Sequence, residues 1–132
     1  MPHIIIEATA TAAKLVAPAQ LVESLHEAAC AVEGYPTPGV RTRLHLIEHF
    51  KMADGDPEGA FVHVNIRIGG GFTSDAKRKA AEVLADRLSA LFDPFVANTA
   101  IALSVEVTEL DTDTRVNRSN VRDLMARRAL PA

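Results

Sequence analysis

The residue with the clearest chemical promise in this 132-residue chain is the second one. An initiator methionine is ordinarily removed when a small residue such as proline follows, so Pro2 would begin the mature chain as a secondary amine. A free α-amino group titrates at about 7.7–8.0, nearer neutrality than any lysine. Burial and neighbouring cations lower that value further, because both disfavour the protonated form. A general base works best with a pKa near the working pH. The ordinary alternative is that proline at this position carries no role. Arg41 and Arg43 are two residues apart in an alternating segment, which aims both guanidiniums the same way, about 7 Å apart. Such a pair can grip two carboxylates, or a carboxylate and a keto oxygen. It can also be a solvated strand face whose partners are Asp or Glu. Glu7, Glu106 and Glu109 are candidate partners of that kind.

Gly69-Gly70-Gly71-Phe72-Thr73 runs from a strand-like segment into a helix-like one. Backbone N–H groups at such a junction can bind an anion. The turn has neither the lysine of a phosphate-binding loop nor the spaced glycines of a dinucleotide loop, so a plain tight turn competes with a binding role. The histidines are His3, His26, His45, His49 and His63, with no His-Glu-x-x-His spacing and no cysteine cluster, so no metal is expected. His45 and His63 read as interface or half-buried polar residues. Cys30 is the only cysteine; it falls in a helical segment and reads as core packing in a reducing compartment.

The elements that must position these residues follow from periodicity. Ile4 to Thr9 reads as a strand. Pro18 suits a first helical turn, and Leu21, Leu25, Ala28, Ala29 and Val32 follow at helical spacing, with Gly34 as a C′ residue. Arg41 to Lys51 alternates, with Leu44, Leu46 and Phe50 on one face and Arg41, Arg43, His45, Ile47 and His49 on the other. Phe61 to Ile68 alternates again. Thr73 or Ser74 caps a helix with the stripe Leu84, Leu88, Leu91, Phe92 and Phe95. Ile101 to Leu110 is a fourth strand, and a polar tail ends in a short helix.

The order is β-α-β twice, in an α+β chain whose single domain divides into 1–52, 60–110 and a tail at 111–132. One four-stranded sheet with two helices on one face follows, and the pattern leaves open whether the two units interleave or lie side by side. The uncovered face carries Ile47 and Phe61 and is expected to expose an apolar patch that favours self-association.

The formal net charge is −3, so the basic footprint of a nucleic-acid binder is missing. No apolar run approaches the ~18 residues of a membrane helix, and no basic leader precedes Ile4-Ile5-Ile6. A cytoplasmic protein with neither nucleic-acid nor membrane partner is expected.

Several fragments, in this order and spacing, resemble the 5-carboxymethyl-2-hydroxymuconate isomerase family of the tautomerase superfamily. They are Met1-Pro2-His3-x-x-x-Glu7, Gly39-x-Arg41-x-Arg43-x-His45, Met52-Ala53-Asp54-Gly55, Phe61-Val62-His63, Ile68-Gly69-x-Gly71, and Asn120-Val121 with Leu124. The resemblance implies two side-by-side βαβ units in a mixed four-stranded sheet and a homotrimer. It implies Pro2 as the acid/base catalyst, Arg41 and Arg43 as substrate-binding and catalytic arginines, a small carboxylate substrate, and no cofactor. The implied reaction moves a proton along a 2-hydroxymuconate-type dienol to give the 2-oxo-3-ene acid. The alternatives are a related tautomerase for another enol and a trimeric binding protein without activity. Where the family carries an arginine after the glycine turn, this chain has Phe72. Gly71 and Phe72 are therefore expected to line a more apolar site, suited to a monoacid enol, with Lys77 or Arg78 as replacement cations.

Overall fold

The computed structural model describes residues 1–130. Strand β1 (His3–Thr9) leads directly into a short helix α1 (Ala10–Leu15), whose first turn is capped by the Thr9 hydroxyl accepting from Ala12 N at 3.2 Å. Helix α2 (Pro18–Cys30) opens on Pro18, where the missing N–H costs nothing, and buries Leu21, Leu25, Ala28 and Ala29. Strand β2 (Arg41–Ile47), strand β3 (Ala60–Ile68), helix α3 (Ser74–Phe92), strand β4 (Ile101–Glu109) and helix α4 (Val121–Ala129) complete the chain. Thr73 is the N-cap of α3 and accepts from Ala76 N at 3.1 Å.

The sheet order is β2-β1-β3-β4. β1 and β2 are parallel, β3 and β4 are parallel, and β1 and β3 pair antiparallel in the middle. The two βαβ units therefore lie side by side, the arrangement that periodicity alone left open. Ile4, Ile6 and Ala8 of β1 and Val62, Val64 and Ile66 of β3 point into one layer with Leu21 and Leu25 of α2 and with Leu84, Leu88 and Phe92 of α3. All are completely buried, each worth roughly 1.5–3 kcal/mol in transfer terms for its larger side chains.

Four expectations need correction. Ala10–Leu15 forms a helix of its own, which its short run of small residues did not signal. β2 stops at Ile47, so His49 is outside the strand, and Phe50 turns to meet Phe61 edge-on, ring centroids 6.0 Å apart. Helix α2 ends at Ala31 rather than beside Gly34; Gly34 serves a later turn with φ +86°, where an added Cβ would come within 2.9 Å of the Phe72 ring. Finally, the sheet face away from the helices is mainly polar. His3, Glu7, Arg41, Arg43, His63, Asn65, Arg67, Ser104 and Glu106 lie on it, and its apolar members Ile5, Ile47 and Phe61 are each half-buried.

Candidate active site

The start of the chain is fixed at one end of the sheet. Pro2 is buried, and its carbonyl accepts from Arg41 N at 2.9 Å, the last rung of the β1–β2 ladder. Gly39, in a 3₁₀ turn at Thr37–Gly39, has no side chain to obstruct this approach; a Cβ there would lie 3.4 Å from Met1 Cα and 3.7 Å from Pro2 Cδ.

Register then gathers the cations. His3 lies opposite Arg41 on β2 and opposite Arg67 on β3, and Ile5 lies opposite Arg43. The Arg41 guanidinium donates to Pro38 O at 2.8 Å, and Arg43 donates to His3 Nδ1 at 3.1 Å. Arginine can only donate, so His3 accepts through Nδ1 and is held neutral with its proton on Nε2. Burial, then the charges of Arg43, Arg67 and Arg41, push its pKa below the usual histidine value. The amino group of Met1 is lowered as well, by burial and then by Arg115 and Arg41. Among the described residues, none of Arg41, Arg43, Arg67 and Arg115 has a carboxylate within 4.0 Å.

A cleft of about 380 Å³ opens at Met1, between Pro36, Pro38 and Gly39 on one side and Ser119, Arg122 and Asp123 on the other. A larger groove of about 810 Å³ runs along α2 beside His26 and Leu44. The smaller cleft is the one that reaches the chain start, through Met1. Among the described residues no group of three or more His, Cys, Asp or Glu side chains is placed to hold a metal ion.

Pro2, Arg41 and Arg43 thus come together at one end of the sheet. Phe72 does not join them within one chain. Its ring meets Tyr35 edge-on at 5.7 Å and lines a separate cleft with Val32 and Val83. Gly71 takes φ +104°, and a Cβ there would meet nothing within 4 Å; its service is to the turn. Lys77 is held by Glu109 at 2.9 Å and Arg78 by Asp75 at 3.1 Å, so neither is available as a replacement cation. Glu106 bonds His63 and Asn65, at 3.0 and 3.3 Å, so neither it nor Glu109 partners an arginine. Cys30 is half-buried, with Sγ 3.6 Å from His26 Nε2, rather than sealed in the core. The sequence reading gave His3 no role and did not single out Arg67 or Arg115. Arg67 required the β1–β3 register, and Arg115 sits in irregular chain where no periodicity applies.

Comparison with known proteins agrees with this geometry. The family model described as 5-carboxymethyl-2-hydroxymuconate isomerase matches residues 2–125. The 5-carboxymethyl-2-hydroxymuconate Delta-isomerase of Escherichia coli is 28% identical, over 94% of this chain and 98% of that one. The crystal structure of a 5-carboxymethyl-2-hydroxymuconate isomerase from Deinococcus radiodurans R1 superposes with a TM-score of 0.85 at 25% identity, covering 94% of this chain and 93% of that one. A fused 4-OT solved as a symmetric trimer shares the fold at a TM-score of 0.66 and 20% identity, over 89% and 92% of the two chains. A chain of two side-by-side βαβ units, matched over nearly its whole length, belongs to the 5-carboxymethyl-2-hydroxymuconate isomerase family, enzymes built on the tautomerase fold.

Proposed function

We propose that the protein catalyses the ketonisation of a 2-hydroxymuconate-type dienol, with 5-carboxymethyl-2-hydroxymuconate as the expected substrate and the Pro2 amine as acid and base. The observation that supports this most is the electrostatics around the chain start, where burial, Arg115 and Arg41 all lower the pKa of an amine. Removal of Met1 would leave the Pro2 nitrogen in the same positive surroundings, which favour the unprotonated amine that can accept a proton.

The proton balance is simple. The Pro2 nitrogen takes the proton of the 2-hydroxyl, the dienol electrons shift along the conjugated chain, and the ammonium returns the proton to the far carbon, leaving a 2-oxo-3-ene acid. Arg41 and Arg43, parallel on β2, hold carboxylate and the developing oxyanion. Hydrogen bonds to Pro38 O and His3 Nδ1 orient the two forks without neutralising them. One such contact realised in the transition state is worth about 2–4 kcal/mol, by analogy with an oxyanion donor.

The working unit in this proposal is a homotrimer, supported by the symmetric trimer among the fold's solved relatives and by Leu46, an apolar residue 48% exposed on the edge strand β2. Light scattering should give about 43 kDa, three copies of a 14.2 kDa chain, and a monomer stable to dilution would contradict it. No helix among the described residues is long and apolar enough to cross a membrane. The decisive functional experiment follows the ultraviolet absorbance of 5-carboxymethyl-2-hydroxymuconate, 2-hydroxymuconate and a monoacid 2-hydroxydienoate with protein whose Met1 removal is verified by intact mass. Pro2→Ala should lose roughly 10²–10⁴-fold in turnover while keeping its fold. Undiminished turnover in that variant would remove Pro2 from the mechanism.

A further inference from the structure

5-Carboxymethyl-2-hydroxymuconate carries three carboxylates, and the two arginines of β2 cannot hold all three while one of them faces the oxyanion. We infer that Arg115, in the connector between β4 and α4, is the third cation of the site and sets its preference for multiply charged substrates, a role that rests on the function proposed above.

The placement comes from register. β1 and β3 pair antiparallel with His3 opposite Arg67 and Ile4 opposite Ile66. Continued past His3, the same register sets Pro2 beside Ile68 and Met1 beside Gly69. Gly69 is where Arg115 packs: both terminal nitrogens lie 3.7 Å from the position a Cβ would take there, with the Thr112 methyl at 3.3 Å. A glycine at this point lets the connector settle on the end of β3, directly beside the chain start.

The connector is held in that position by its own bonds. Leu110 N donates to Ile68 O at 2.7 Å, and a 3₁₀ turn at Thr112–Thr114 is closed by Asp111, whose side chain accepts from Asp113 N at 2.9 Å. Arg115 follows in extended conformation, half-buried, and its Nη1 is buried with no hydrogen-bond partner among the described residues. An unpaired buried guanidinium N–H is an unfavourable arrangement unless an anion completes it. Of the other cations, Lys77 and Arg78 are bound by Glu109 and Asp75, Arg122 shares its cleft with Asp123, and Arg67, opposite His3, is exposed to solvent where Arg115 is half-buried. The direction of the amine's pKa agrees, with Arg115 acting on it ahead of Arg41.

The test uses correctly processed protein and the same three substrates. Arg115→Gln should reduce the ratio of kcat/KM for the tricarboxylate over the monoacid about tenfold or more, chiefly through KM, since a charge-assisted fork is lost. Arg115→Lys should recover part of it, as a point charge without the fork. In Arg115→Gln the acid limb of the pH–rate profile should also move to higher pH, because a cation that disfavours the protonated amine is gone. A substrate ratio and acid limb that both stay at their wild-type values in Arg115→Gln would overturn the role of Arg115 while leaving the proposed reaction standing. Retained turnover in Pro2→Ala would instead overturn the base assignment, and this inference with it.

Discussion

Three cations on the helical side of the molecule face an acid: Lys77 meets Glu109 at 2.9 Å, Arg78 meets Asp75 at 3.1 Å and Arg87 meets Glu27 at 3.7 Å. At the Pro2 end of the sheet, Arg41 donates to a backbone carbonyl and Arg43 to a neutral imidazole, and neither they nor Arg67 and Arg115 have a carboxylate within 4.0 Å among the described residues. Acid is not scarce, since the chain carries 17 acidic residues against 14 basic ones. Two guanidiniums about 7 Å apart repel by roughly 0.6–2 kcal/mol between bulk-water and near-surface dielectric values. The paired set decorates the surface and is worth little individually. The unpaired set stores a repulsion that an anion would relieve, and on the proposed function that anion is the substrate.

The comparison is broken most directly by removing one cation from each set. Arg41→Gln should lower kcat/KM by about 2–4 kcal/mol, a loss of roughly 30–1000-fold, whereas Lys77→Gln should leave kcat/KM intact and change stability by under about 1 kcal/mol. Equal effects of the two on steady-state kinetics would erase the distinction. Next in size is Phe72. Its ring stands on Tyr35 and against Gly34, so Phe72→Ala should cost about 2–3 kcal/mol in denaturant unfolding, less than a fully buried Phe, with the substrate ratio little changed. A large shift in substrate preference without loss of stability would return Phe72 to the site.

The smallest effect concerns His3. Its pKa in the fold is below the ordinary 6.5, held down by burial and by Arg43, Arg67 and Arg41. As pH falls below 6.5 the unfolded chain takes up a proton first, so this group's stabilisation, fully present above 6.5, declines until the folded-state pKa is passed. His3→Gln should therefore flatten the fall in urea midpoint with acidification relative to the wild type. An unchanged pH slope would show that His3 is not held in the deprotonated form that accepts from Arg43.

Much of this was legible from the residues alone. The β-branched strand Ile4 to Thr9, the alternating strand Phe61 to Ile68 and the helix striped by Leu84, Leu88 and Phe92 fall where the sequence reading places them. Pro2, Arg41 and Arg43 were visible because spacing of two on one strand fixes a shared face. Side-by-side pairing was not visible, because alternation says which face a residue takes but not which strand lies beside it. Phe72 entered through the family resemblance, and within one chain the turn at Gly71 carries it toward Tyr35. Arg115 depends on Gly69, forty-six residues before it, and no local pattern links the two.

Met1 is half-buried, and the cleft around it is closed on one side by Ser119, Arg122 and Asp123, where the last helix begins. The chain start thus lies against the beginning of α4. On the Pro2 reading, the amide between Met1 and Pro2 keeps the nitrogen inert, and an aminopeptidase reaches Met1 most readily in an extended chain end, before α4 docks. At ordinary translation rates the interval between emergence of the two segments is on the order of ten seconds. Activation then becomes a race at birth: chains trimmed within that interval gain a working amine, and chains that close first become well-folded bystanders. The specific activity of a preparation would in that case record how fast its host trimmed and synthesised the chain, as much as any property of the finished protein.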